Sequence, residues 1–326
     1  MWKLNIDSSV ETKYLSRFKG GLVDRIVNGV GSTVVSKKIR KALIPDYDAK
    51  PPIKLKIIES LLIGQPKEAY DLNNTLMSKI FKDYDIDNLE SLKPHKTELK
   101  KIERIFYYGG VISGDKDNSY WLANLVGHNT CTYCNRQYTF TIGTKEGGMH
   151  ITRPQFDHWF PKEWFPLLSL NLYNLIPCCP ICNSSIKGSE VFSLDSHIHP
   201  YLQTKNEPDF KFVPKVSDNA DRDWTVSLDR TKGGKEDNSI KAFCLDEIYD
   251  AHGDLEVKSL MDFATGYTDN YLRDLYEKVL TDFTTKGFSK AEIFRMLFGA
   301  EYLAEHTLDM PLSKLKRDVL KYLGVI

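Results

Sequence analysis

The stretch FDHWFPKEWFPLLSLNLYNLIPCCPICNSSIKG, residues 156–188, sets an Asp-His pair, an isolated Asn and a Cys-x-x-Cys-Asn within 33 positions. A packed core asks for none of these. Upstream, CTYCN at 131–135 echoes CPICN at 179–183. Zinc takes four soft ligands in a tetrahedron, and a Cys-x-x-Cys turn offers two thiolates at the right bite, with backbone amides turned toward the sulfurs. Cys131 and Cys134 therefore form one knuckle, Cys179 and Cys182 the other. Four sulfurs leave no open position, so this Zn2+ is expected to be structural. The 44 residues between the pairs exceed the spacing of a simple zinc ribbon and require a folded insert. Cys178 and Cys244 are expected to pack as small apolar core residues.

The insert carries Asp157, His158 and Asn174, and Asn183 follows the last cysteine. Phosphodiester hydrolysis needs an activated water, a hard cation against developing charge, and fixed geometry. Histidine is the natural base near neutral pH. Asp and Asn oxygens suit Mg2+, which keeps several waters. Each residue alone has a bland reading as core or solvated surface; together at these spacings they point to one site.

CTYC, DHWFPKE and NLIPCCPICNSSIKG, spanning residues 131–188, resemble the zinc-bound branch of the HNH nucleases of the ββα-metal class. The resemblance implies that His158 is the general base and that Asp157 and Asn183 hold Mg2+ or Mn2+. It also implies that Asn174 ties the loop and orients the histidine, and that Lys187 can touch a phosphate. Neighbours on a regular strand face opposite ways, so Asp157 and His158 are expected at a bulge or a strand end. A finer resemblance rests on the residues around DHWFPK, on PLLSLNLYNLIPCCPICNSSIKGSEVFSL and on HPYL. It points to the HNH subunit of the Septu and retron-linked anti-phage systems, with FSL and HPY where that family has F-P-L and N/D-P. It implies an ATPase partner of the SMC or ABC type and a role in defence.

The fold class expected is α+β, a mostly helical protein around a central ββα-metal core stapled by the four cysteines. Residues 1–125 are read as a helical region for partner or substrate binding, 126–200 as the nuclease core, and 201–326 as loop-rich and then helical. KPPIKLKIIESLLIG and HKTELKKIERIFYYGG have helical apolar spacing, the second stopping at Gly109-Gly110. GTKEGG (143–148) and TKGGKEDN (231–238) read as turns, SKAE (289–292) as a capping box, and MPLSKLKRDVLKYLG as a closing helix. DYDIDNLE starts like a calcium loop but has Asn88 where Gly is required and Pro94 where a bidentate Glu is required.

Net charge is zero, although residues 1–60 hold twelve Lys or Arg against six Asp or Glu. That excess suits a phosphate-binding patch or a solvated helical face. Arg153 and Lys162 flank the Asp-His pair as phosphate contacts. His197 and His199 are read as structural, although on a shared strand face they could ligate a metal, and His128 could replace a cysteine, although four sulfurs suffice. WFPKEWF is expected to pack the insert over the core, with base stacking by Trp159 or Trp164 as the second choice. No apolar run long enough to cross a membrane and no leader pattern is present, so a cytoplasmic protein is expected. The main expectation is an endonuclease acting on double-stranded DNA. RNA or transfer-RNA cleavage is one alternative; an idle zinc-stabilised nucleic-acid-binding or assembly module is the other.

Overall fold

The structure is a computed structural model and describes residues 1–31, 33–46, 55–85, 87–144, 149–218, 220–266, 277–278 and 285–326. It is mixed α and β: helices dominate, and the strands among the described residues form three two-stranded antiparallel ribbons. No helix among them is long and apolar enough to cross a membrane.

Helix α1 (Ser8–Asn28) starts where the Asp7 carboxylate accepts the Ser9 and Val10 amides at 2.8 and 3.0 Å, relieving two orphan donors of the first turn. Its buried residues, Tyr14, Phe18, Leu22 and Ile26, recur every four positions and form one apolar stripe. Against α1 lies α3 (Lys56–Ile63), which also touches α4 (Pro66–Ile80); α2 (Lys37–Leu43) leans on both α1 and α4. The expected helix at 50–64 is thus present over 56–63 and stops at Gly64, while its Pro-Pro start lies outside the described residues.

Helix α5 (Lys96–Ile105) ends earlier than expected. The break falls at Phe106, and Gly109-Gly110 is not its cap. Instead the Tyr107 ring lies over both glycines: a Cβ on Gly109 would sit 2.8 Å, and one on Gly110 2.4 Å, from ring carbons. A larger residue at either position would have to displace the half-exposed Tyr107 ring. The chain then makes one more helical turn (Gly109–Ser113) before α6 (Lys116–Val126), capped by Asp115 and ended by Gly127 in the left-handed region.

Ribbon β1/β2 (Ile142–Gly143, His150–Thr152) flanks the expected turn at 143–148, whose residues 145–148 lie outside the described ones. Strand β3 (Gln155–His158) pairs with β4 (Leu175–Cys178), and a short helix (Ile181–Lys187) follows and packs back on β3.

Segment 205–255 is more regular than its expected loops. Strands β5 (Lys211–Val216) and β6 (Trp224–Asp229) pair over six residues each, burying Phe212 and Pro214 against Val226 and Leu228. After a turn at 231–234 come α7 (Lys235–Ala242) and α8 (Leu245–Asp250). Arg230 locks the corner, reaching Asp237 at 2.8 Å and both oxygens of Asp246 at 2.6 and 2.7 Å. Cys244 is not a core residue: it is exposed, with φ of +48° in the tight connection from α7 to α8. The expected capping box at Ser289–Glu292 is present, and the closing helix runs Ser313–Tyr322 over β5. Helix α9 (Lys258–Gly266) ends at the start of the region expected to be helical beyond 265; helix Lys290–Phe298 and the closing helix account for part of that content, and much of the region lies outside the described residues.

One apolar cluster runs from Met1 to Val319 and takes in all five buried cysteines. His199 lies inside it, 3% exposed, tilted against Trp159 with ring centroids 4.6 Å apart. Its Nδ1 accepts the Tyr201 amide at 3.3 Å, so Nε2 carries the proton of a neutral ring. Burial pushes this imidazole down to about 3. Because the folded value lies below the unfolded one near 6.5, the unfolded chain binds the extra proton. Stability is therefore complete above about pH 6.5 and is lost as pH falls toward 3. Between pH 7 and 4.5 the single group should cost about 3 kcal/mol. Urea denaturation of the wild type and His199→Phe at both pH values should show the wild type losing that much more; equal losses would refute the assignment.

Candidate metal centre and active site

The two knuckles close on each other. The Sγ atoms of Cys131, Cys134, Cys179 and Cys182 all lie within 4.8 Å of one another, and all four residues are fully buried. A tetrahedron with ~2.3 Å Zn–S bonds has sulfurs about 3.8 Å apart, so four donors at this separation suit one thiophilic cation. The Cys182 amide points at Cys179 Sγ, 3.5 Å away, as a knuckle requires. Burial pushes the Cys131 thiol well up, which makes a shared cation the favourable way to hold several thiolates here. Among the described residues this is the sole group of three or more His, Cys, Asp or Glu with metal-binding geometry. His128 takes no part, His197 stacks on Phe192, and Cys178 is buried outside the cluster.

The asparagines that end the two knuckles have separate fates. Asn135, fully buried with φ of +45°, donates from Nδ2 to Thr307 O at 2.8 Å and to Met310 O at 3.2 Å, while its own carbonyl accepts the Leu312 amide at 2.7 Å. It clamps the C-terminal segment onto the first knuckle. Asn183, half-buried, faces a cleft.

That cleft, about 300 Å³, is lined by Asp157, His158, Lys162 and Asn183 together with Tyr108 and Phe156. The β3/β4 ladder is regular from Gln155↔Cys178 to His158↔Leu175, with no bulge, and His158 is the last residue of β3. The strand-end alternative is thus the one realised. Alternation parts the two side chains: Asp157 turns to Tyr133 and Lys187, His158 to Ser169 and Tyr108. Both still reach the cleft from the strand's end.

His158 Nε2 lies 3.0 Å from the Ser169 carbonyl. A carbonyl has only lone pairs to offer, so Nε2 is the protonated nitrogen and Nδ1 carries the free pair. Burial, with Lys162 and Lys187 nearby, pushes the imidazole down to about 3 against the pull of Ser169, and the ring is neutral at physiological pH. The Tyr108 ring stands edge-on to it, centroids 4.5 Å apart.

Asn174 sits beneath, 1% exposed. Its Oδ1 accepts the Phe160 amide at 2.7 Å, and its Nδ2 donates to Phe160 O and Leu168 O at 3.1 and 3.0 Å. It thereby fixes the peptide next to the Ser169 carbonyl that holds His158, which is the loop-tying place expected for it. Asn171 extends the frame: its Oδ1 accepts the Asn174 amide, and its Nδ2 donates to Leu61 O and Gly64 O, joining the loop to α3.

Two expectations change. Lys187 is not at the surface. Its ammonium is fully buried, 3.1 Å from Asp157 Oδ1 and 2.9 Å from His158 O, over the Phe192 ring. It neutralises the buried Asp157, which no exposed residue could do, and cannot meet a phosphate from there. Trp159 is fully buried, its indole N–H donating to Ile198 O, so it packs as first expected, and base stacking, the second choice, falls away. Arg153 donates to Pro154 O and Ser113 O and lies 6.0 Å from the centroid of the Phe156 ring, beside the cleft but not among the residues that line it.

Asp157, 2% exposed, also accepts the Tyr133 hydroxyl on Oδ2 at 2.6 Å. Burial pushes its carboxyl up, against the opposing pull of Lys187 and Tyr133. Each carboxylate oxygen keeps a lone pair beyond these bonds. Asn183 donates from Nδ2 to Gln155 Oε1 at 2.8 Å, leaving its Oδ1 as the atom over. A carboxylate oxygen and an amide oxygen thus line one cleft, donor types that hard cations favour. Tyr133, Ser169, Tyr108 and Asn171 carry no spacing signature that singles them out. No family model, curated protein or solved structure matches this chain.

Proposed function

We propose that this chain is a metal-dependent nuclease of the HNH type that hydrolyses phosphodiester bonds in DNA. The observation that carries the reading is the state of His158: neutral, with Nε2 tied to Ser169 and Nδ1 left as the base, in a cleft shared with Asp157 and Asn183. The hairpin, the following helix and the four-cysteine cluster support it as a strand–strand–helix frame around that base. Zn2+ in the cluster is proposed as structural.

In this reading His158 Nδ1 takes a proton from water as the water oxygen bonds phosphorus; the bond from phosphorus to the leaving sugar oxygen breaks, that oxygen takes a proton from solvent, and Ser169 keeps the imidazole turned for the first transfer. Asp157 and Asn183 would hold Mg2+, which supplies charge stabilisation at the phosphate oxygens. Lys162, the exposed cation of the cleft, draws the phosphate in.

A cleavage assay on supercoiled plasmid tests this, with wild type beside His158→Ala at equal bound zinc, in Mg2+, Mn2+ or EDTA. Wild-type cutting should vanish in EDTA and fall by about 10²–10⁴-fold in the variant. Equal cutting by both proteins would sink the assignment of the base. A second reading has its own observation: Lys187 already neutralises Asp157, as suits an idle binding module. It gains if neither protein cuts DNA or RNA with any cation, with or without an SMC- or ABC-type ATPase partner.

A further inference from the structure

Beside the cleft, and sharing Lys162 and Glu163 with it, opens a groove of about 560 Å³ between α5 and the loop of residues 162–166. Its rim carries Lys96, Lys100 and Lys162; Glu103 and Glu163 oppose them, and Trp164 and Leu99 supply apolar surface. Glu103 lies 4.0 Å from Lys162. Lys96 and Lys100 are exposed, and no ion-pair partner is recorded for either among the described residues. Two cations thus stand uncompensated, one helical turn apart, about 6 Å along the axis of α5. α5 is held in register with the site, because it packs on the same turn, Pro166–Leu168, whose next carbonyl fixes His158.

We propose that this groove binds a single-stranded stretch of nucleic acid continuing from the phosphodiester at His158, with Lys96 and Lys100 on successive phosphates and Trp164 against a base. A groove lined by cations with an aromatic surface is how unpaired strands are gripped without regard to sequence. A duplex keeps its bases stacked inside and offers none to Trp164. The inference rests on the nuclease reading only for the direction of the strand.

The test uses the full-length, zinc-loaded chain in a His158→Ala background and a labelled oligothymidylate, followed by fluorescence anisotropy over a range of salt. Lys96→Ala/Lys100→Ala should weaken binding and lower the slope of log affinity against log salt by about 1.4, at ~0.7 per phosphate contact on a single strand. Trp164→Leu should weaken binding about tenfold and leave the slope unchanged, since stacking releases no counterions. A duplex of equal length should bind more weakly. An unchanged slope in the lysine variant, or a duplex bound as tightly as the single strand, would overturn the proposal, as would no binding at all. Binding as expected by a protein whose His158 form cuts nothing would leave the groove standing and remove the nuclease. Cleavage that ignores both lysines would do the reverse.

Discussion

Removing the metal from the four-cysteine cluster, or replacing Cys179 by Ser, is expected to unfold the middle of the chain. Strands β3 and β4 have four residues each, and the helix after them has seven. A two-stranded hairpin of that length is marginal in water. A cation shared by residues 131–134 and 179–182 would hold it, closing the whole insert. Structural zinc contributes an apparent ~10–16 kcal/mol in small domains, as large as the net stability of most proteins at about 5–15 kcal/mol. The loss should spread, because Asn135 and Cys134 O anchor the C-terminal segment and Tyr249. Hydrogen exchange after chelation should show residues 131–188 losing protection first and 307–312 with them, while α1, α3 and α4 keep theirs longer. Near-stoichiometric zinc and wild-type melting in Cys179→Ser would refute this.

The knuckles were legible because thiolate geometry demands close spacing in sequence, and the Asp-His pair and Asn174 because they stand at fixed intervals from them. The capping box at Ser289 was legible for the same reason, being local. What escaped depends on contacts made across the fold. Nothing near Lys187 in sequence says that it lies under Asp157, thirty residues earlier, with Phe192 against its ammonium. Cys244 has apolar neighbours, but the α7–α8 connection needs a left-handed residue and leaves its side chain outside. Gly109-Gly110 resembles a helix stop, yet α5 ends before it and the Tyr107 ring lies over the pair. The next residue, Tyr108, then reaches His158, so this part of the site is set by packing and not by motif.

Lys187→Met is expected to destabilise the protein by about 3–5 kcal/mol, since it leaves a buried carboxylate without its counter-charge. Asp157 and Lys187 are nearly free of solvent, with side-chain exposures of 3% and 0%, so water cannot take over from either partner. Asp157→Asn strands the ammonium without its counter-charge, with neutral acceptors such as His158 O and the Phe192 ring left to it. The double variant removes both charges together and should recover most of the loss, leaving a coupling energy of several kcal/mol. Denaturant melts of the four proteins, each with full zinc, give that cycle; Lys187→Met within about 1 kcal/mol of wild type would show the pair to be weakly coupled. Cleavage separates stability from chemistry. If Asp157 serves a cation, the double variant stays inactive although it folds, whereas Lys187→Met, assayed where it is folded, keeps cutting. If the double variant cuts as the wild type does, Asp157 is a structural partner of Lys187 and the cation is held by other atoms of the cleft.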